Sequence, residues 1–281
     1  MNIEPRSILI LGSDGQLGSE LSGMLPEAEK LSYPDWDITN PADDAVIAQM
    51  RPKVIVNCAA FTNVDRAESE QEVARAVNAE APGRLAKLAH RLGALFVQVS
   101  TDYVFDGHKG EPYAETDTPN PLNVYGKTKL AGEQMVAESG AKYLIVRTAW
   151  LHGPKGPNFL SKMLELAKTN DELTVVADQK GSPTFTADLA RAIMALIDQG
   201  QTGLFHAVNS GSASRYELVR ELFQLAELKT RVKSGSSEEF PAAAMRPPET
   251  VLDTSKLQKF FVMPTWQDGL KRYWLEASKA H

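Results

Sequence analysis

Four short apolar runs in the first half of this chain limit its fold more than any other feature. They read SILILG (7–12), KVIVNCA (53–59), ALFVQVS (94–100) and KYLIVRTAW (142–150). Most are nearly continuous in apolar, Val- and Ile-rich residues, which suits a strand buried on both faces. Longer stretches with apolar residues at helical spacing separate them: Gln16 to about Leu25, DDAVIAQM, and EQEVARAVNAEAPGRLAKLAHRLG, which stops at Gly93. A weaker strand, EKLSY (29–33), completes the first strand–helix–strand unit. This alternation predicts an α/β chain with a doubly wound parallel sheet and helices on both sides.

After residue 150 the rhythm loosens. Gly and Pro cluster in HGPKGPN, DQKGSPT and AAAMRPPET, around short strands (LTVVA, LFHAV) and helices (TADLARAIMALIDQ, SRYELVRELFQLAEL). The expectation is a main domain over residues 1–150 and a smaller substrate-binding lobe over 151–281. That lobe closes on the carboxyl edge of the sheet, and some of its segments return to the sheet. A net charge of −6 lacks the basic footprint of a nucleic-acid binder. No apolar run reaches the roughly 18 residues that would span a membrane. The one cysteine, Cys58, allows no intrachain disulfide and suits the cytoplasm. Inside VIVNCAA it reads as a small buried hydrophobe. His108, His152 and His206 stand apart with no metal-ligand spacing, so no metal site is assigned. The acids of AESEQE (67–72) read as a solvated first helical turn.

Between the first strand and first helix lies LGSDGQLGSEL, with Gly12, Gly15 and Gly18 in a G-x-x-G-x-x-G spacing. Glycine lets such a turn take unusual backbone angles and lets a dinucleotide pyrophosphate approach closely. The helix beginning near Gln16 and Leu17 would aim its free N–H groups at that pyrophosphate. In this context the turn predicts a Rossmann-like site for NADPH or NADH. Downstream, KLSYPDWDITNP offers Lys30, Ser32, Asp35 and Asp37; Asp37 and Ile38 are candidates for the adenosine edge. Nothing there separates the two coenzymes.

The fourth strong strand ends in VQVSTDYVFDG, which places Ser100, Thr101 and Asp102 where ligands bind in such sheets. Further on, LNVYGKTKLAGEQ spaces Tyr125 and Lys129 one helical turn apart on one face.

Together these features resemble the extended short-chain dehydrogenase/reductase superfamily. More narrowly, NCAAFTNVDRAESE, STDYVFDG, PLNVYGKTKLAGE, RTAWLHG, DQKGSPT and the Arg246-Pro247 pair resemble the dTDP-4-dehydrorhamnose reductase family. The resemblance covers nearly the whole chain. It implies reduction of a nucleotide-sugar C4 ketone, with Tyr125 as the proton donor. Lys129 would lower the Tyr125 pKa and hold the nicotinamide ribose, and Thr101 would orient the carbonyl. Ala59, Ala60, Phe61 and Thr62 would line the coenzyme. Asp102 and Trp150 would border the sugar, and Asn158 and Arg246 would meet the diphosphate. Magnesium accompanies some members of that family; a homodimer is compatible with it, and the oligomeric state stays open. The rival 4,6-dehydratases carry Thr-Asp-Glu where this chain has Thr101-Asp102-Tyr103. Nucleotide-sugar epimerases are usually longer and do not usually read STDYVF. An intact Thr101/Tyr125/Lys129 set also favours an enzyme over a regulatory subunit of methionine adenosyltransferase, the alternative of another class.

Overall fold

The apolar runs assemble into one parallel sheet in the computed structural model, which describes residues 4–279. Its first strands are β1 (Ile8–Leu11), β2 (Glu29–Leu31), β3 (Val54–Asn57), β4 (Leu95–Thr101) and β5 (Lys142–Thr148). The helices among them are α1 (Gln16–Met24), α2 (Asp44–Met50), α3 (Val64–Ser69), α4 (Gln71–Arg75), α5 (Ala81–Leu92) and α6 (Val124–Ala137). Beyond them come β6 (Leu151–His152), α7 (Phe159–Ala167), β7 (Glu172–Val176), β8 (Lys180–Gly181), β9 (Thr184–Phe185) and α8 (Thr186–Asp198). The chain continues through β10 (Gly203–His206), β11 (Ala213–Ser214), α9 (Arg215–Leu225), β12 (Arg231–Gly235) and α10 (Trp266–Ala277). The main sheet runs β2-β1-β3-β4-β5-β10, parallel throughout. Its order reverses beside β1, and the crevice between β1 and β3 is where such sheets hold ligands.

Alternation within each strand supplies both faces. Ile8 and Ile10 pack against Leu17 and Leu21 of α1 and Leu189, Ile193 and Leu196 of α8. Leu9 and Leu11 point the other way, to Ile47 of α2, Leu85 and Leu88 of α5 and Val136 of α6. Each such side chain contributes about 1.5–3 kcal/mol when fully buried, so a strand between two helical layers gains at every position. A separate core joins α7, α9 and α10 through Leu160, Leu164, Leu218, Leu222, Trp266, Leu270 and Tyr273. LFHAV, as β10, forms the edge of the main sheet beside β5.

The long helical stretch ending at Gly93 is not one α-helix. Residues Ala76–Glu80 widen into a π-helix between α4 and α5. Pro82 has no N–H to give the carbonyl four residues back, and a widened turn accommodates that loss. The acids of 67–72 also differ from a solvated first turn. They straddle the end of α3 and the start of α4, and Glu68 accepts the Val124 N–H at 2.8 Å, at the start of α6.

Candidate active site

The glycine turn is moulded by close packing. Gly12 has φ 71°, and a Cβ there would lie 2.7 Å from the Ala59 nitrogen. Gly18, in the first turn of α1, passes so near the Gly12 carbonyl that a Cβ would overlap its oxygen. Gly15 gives α1 no side-chain cap, so its first N–H groups remain for another partner. Gln16 Nε2 donates to the Pro157 carbonyl at 3.3 Å, while its Oε1 is buried without a partner. A diphosphate with adjoining hydroxyls fits this arrangement. Ala59, Ala60 and Thr62 follow β3 in a loop clamped by Asn78, which accepts from Phe61 N at 2.9 Å and donates to Phe61 O at 3.1 Å. At the other end of the crevice, Asp37 Oδ1 accepts from the Thr39 amide and hydroxyl, both at 2.8 Å. That half of the Asp37 carboxylate is committed to its own turn. Ile38 is buried, and its carbonyl is bound by Arg84.

The inward face of α6 carries polar groups where a core-facing helix usually carries apolar ones. Tyr125, Lys129 and Glu133 follow one another at one-turn intervals. Lys129 Nζ donates to the Val99 carbonyl of β4 at 2.7 Å. Glu133 receives both arms of Arg147, at 2.9 and 2.7 Å, in a buried pair. Burial pulls the Lys129 ammonium down to about 8, with Glu133 opposing. Burial also pushes the Tyr125 phenol above its ordinary value, with a Thr101 hydrogen bond opposing. Burial rather than the Lys129 charge sets the direction of this shift, and the Lys129 ammonium meets the Val99 carbonyl. The Cys58 thiol, beside this group, is pushed up to about 12 by burial and stays protonated.

Thr101 sits where β4 ends. Its hydroxyl donates to Asp102 Oδ1 at 3.1 Å and accepts the Tyr103 N–H at 3.2 Å. Asp102 is buried, receives the Thr250 hydroxyl from the distant C-terminal part of the chain, and is pushed up to about 6 by burial. Tyr103 lies edge-on to Tyr125, ring centroids 5.9 Å apart. Its hydroxyl faces the guanidinium groups of Arg215 and Arg246. Thus the structure gathers Thr101, Asp102, Tyr125 and Lys129 at the carboxyl edge of the sheet.

The remaining expected residues are more occupied. Trp150 adopts a left-handed backbone, φ 44°, a conformation that is sparse for bulky residues and recurs at functional sites. Its indole carries the Arg215 guanidinium, Cζ 3.6 Å from the ring centroid. Asn158 caps α7, accepting from Ser161 N at 3.0 Å and donating to Gly153 O at 2.9 Å. Arg246 forks onto Asp65 at 2.5 and 2.7 Å and donates to Ala244 O at 2.7 Å; Asp65 is held down to about 2. Sequence reasoning missed Arg215, Thr250, Asp65 and Glu133. Arg215 starts an amphipathic helix and reads there as a surface charge; only the oddity of Tyr103 hinted at its partner. Among the described residues no three His, Cys, Asp or Glu side chains converge as a metal site needs, and no helix is long and apolar enough to cross a membrane.

The family described as RmlD substrate binding domain matches residues 6–278. The chain is 41% identical to the dTDP-4-dehydrorhamnose reductase of Escherichia coli (strain K12), across 95% of this chain and 96% of that protein. It is 43% identical to the protein of that name from Streptomyces griseus, across 88% and 86%. The solved dTDP-4-dehydrorhamnose reductase from Bacillus anthracis str. Ames, in complex with NADP, superimposes with a TM-score of 0.92. It is 42% identical, over 96% of this chain and 98% of that one.

Proposed function

The chain belongs to the RmlD substrate binding domain family, that of the dTDP-4-dehydrorhamnose reductases, and from that premise we propose how its residues reduce a nucleotide sugar. It is an NAD(P)H-dependent oxidoreductase that converts the C4 ketone of dTDP-4-dehydro-L-rhamnose to the alcohol of dTDP-L-rhamnose. The observation that carries the assignment of roles is the meeting of Thr101, Tyr125 and Lys129 at the mouth of the crevice opened by the glycine turn.

The bound coenzyme supplies a hydride to C4. Tyr125 gives the carbonyl oxygen its proton. An alkoxide is far more basic than a phenolate, so this transfer runs downhill even from a phenol whose pKa burial has raised. The same shift keeps Tyr125 in the protonated form that a donor requires. Thr101 turns its hydroxyl from Asp102 to the ketone and fixes the carbonyl direction. Lys129 places a positive charge one turn below, where it steadies the phenolate left behind and reaches the nicotinamide ribose. Gly12, Gly15 and the free end of α1 take the pyrophosphate. Tyr103 occupies the place of a dehydratase's Glu; burial holds its phenol neutral, so it cannot take the proton that an elimination removes.

Coenzyme oxidation by the purified protein, followed with this ketosugar and with isomeric nucleotide ketosugars, tests the proposal. Turnover fastest with dTDP-4-dehydro-L-rhamnose is the expected outcome. No turnover with any of them would remove the enzyme reading; preference for another isomer would change the substrate alone.

A further inference from the structure

Three cations approach the mouth of the cleft, and two of them are answered. Lys129 meets the Val99 carbonyl with Glu133 one turn away, and Arg246 is forked onto Asp65. Arg215 differs. Its guanidinium lies against the Trp150 indole at 3.6 Å and near the Phe159 ring at 4.9 Å, and it faces Tyr103. Asp102 attracts it from a distance, and no carboxylate of the described residues comes within the 4.0 Å of an ion pair. A stacked guanidinium keeps its N–H donors in plane with their edges free, the geometry that matches phosphate. Asp102 is already held by Thr101 and Thr250, so a half-buried guanidinium with no close counter-ion favours an anionic group that completes the site. The backbone end of α9 is not that site: Ser214 and Glu217 close it with a capping box.

Tyr103 indicates which part of a substrate reaches Arg215. The Tyr103 ring lies edge-on to Tyr125, and its hydroxyl faces Arg215 as well as Arg246, which Asp65 already holds. A ketosugar with C4 at Tyr125 has C1 at the opposite end of its ring, and the diphosphate leaves from C1. Tyr103 thus stands between Tyr125 and Arg215, which sets the Arg215 guanidinium apart from the C4 end. We infer that Arg215 is the guanidinium that reads the diphosphate of the nucleotide sugar, with Trp150 as the plate that fixes its plane. Arg246, the residue expected in that role, instead ties the 244–246 loop to Asp65. This inference rests on the reductase reading for the position of C4.

Calorimetric titration of the full chain with dTDP and with thymidine tests it. Arg215→Met should weaken dTDP binding at least roughly tenfold, about 1.4 kcal/mol, and leave thymidine within about twofold. Arg215→Lys should recover part of the loss, keeping the charge without the fork. Unchanged dTDP affinity in Arg215→Met, or equal losses for dTDP and thymidine, would overturn the assignment. Should the Met variant fail to fold, Arg215→Gln, which keeps a planar group on Trp150, is read by the same two outcomes. Turnover of the ketosugar with Arg215-independent dTDP binding removes this inference and leaves the reductase. Arg215-dependent dTDP binding without turnover does the reverse.

Discussion

The two sides of the cleft are built differently. On the coenzyme side, Gly12, Ala59, Thr101, Tyr125 and Lys129 come from strand ends and one helix face, held by a parallel ladder and two apolar layers. On the substrate side, polar clamps join residues far apart in sequence. Asp65 to Arg246 spans 181 residues, and Asp102 to Thr250 spans 148. The first side is set by its backbone ladder and the packing on either face. The second depends on particular side chains, so damage there should appear in substrate affinity before it appears in chemistry or stability.

The sharpest break in that comparison is Tyr125→Phe. It should slow NADPH oxidation by about 10²–10⁴-fold, the usual worth of a positioned acid, with coenzyme affinity nearly unchanged by fluorescence titration. Near-normal turnover would remove Tyr125 as the donor.

Ion pairs on the two sides offer the next contrast. Glu133→Ala strands Arg147 in a buried site and should cost about 3–5 kcal/mol in denaturant unfolding. Asp65→Asn breaks a half-exposed pair, so its stability cost should stay near 1 kcal/mol or below while KM for the ketosugar rises. Similar unfolding costs for both would mean the substrate side is as structural as the coenzyme side.

Lys129 separates chemistry from stability through pH. Its ammonium is lost as pH rises through about 8, so kcat should fall above that point. Its folded pKa lies below its unfolded value of 10.5, so in that window the unfolded chain holds the proton and the folded chain does not. By linkage this group adds stability as pH rises there, so the fall in rate is not unfolding. A kcat profile flat to well above this range would show that the Lys129 charge is not needed.

Asn158→Ala should have the smallest effect. A lost cap costs about 1 kcal/mol. KM for the ketosugar should barely move if Asn158 serves α7; a large rise would restore it to the diphosphate.

Legibility in the sequence follows the same division. SILILG, KVIVNCA, ALFVQVS and KYLIVRTAW carry the sheet in local composition, because strands buried on two faces leave little choice of residue. Tyr125 and Lys129 share a helix turn, so spacing alone brings them together. That LFHAV pairs with β5, or that Thr250 reaches Asp102, depends on loop paths no short window contains. The π-turn at Ala76–Glu80 hides inside a continuous helical periodicity; its cause, Pro82 together with the contacts Asn78 makes across the fold, is partly tertiary. Arg215 has no local mark at all, since nothing in SRYELV shows that Trp150 and Tyr103 await it.

The most direct measurement combines the ketosugar with coenzyme carrying deuterium at its transferable position, followed by mass spectrometry of the product. The protein should yield dTDP-L-rhamnose with a single deuterium at C4, and Tyr125→Phe should yield almost none. Product without deuterium at C4, or coenzyme left unconsumed by the unmodified protein, would contradict the account.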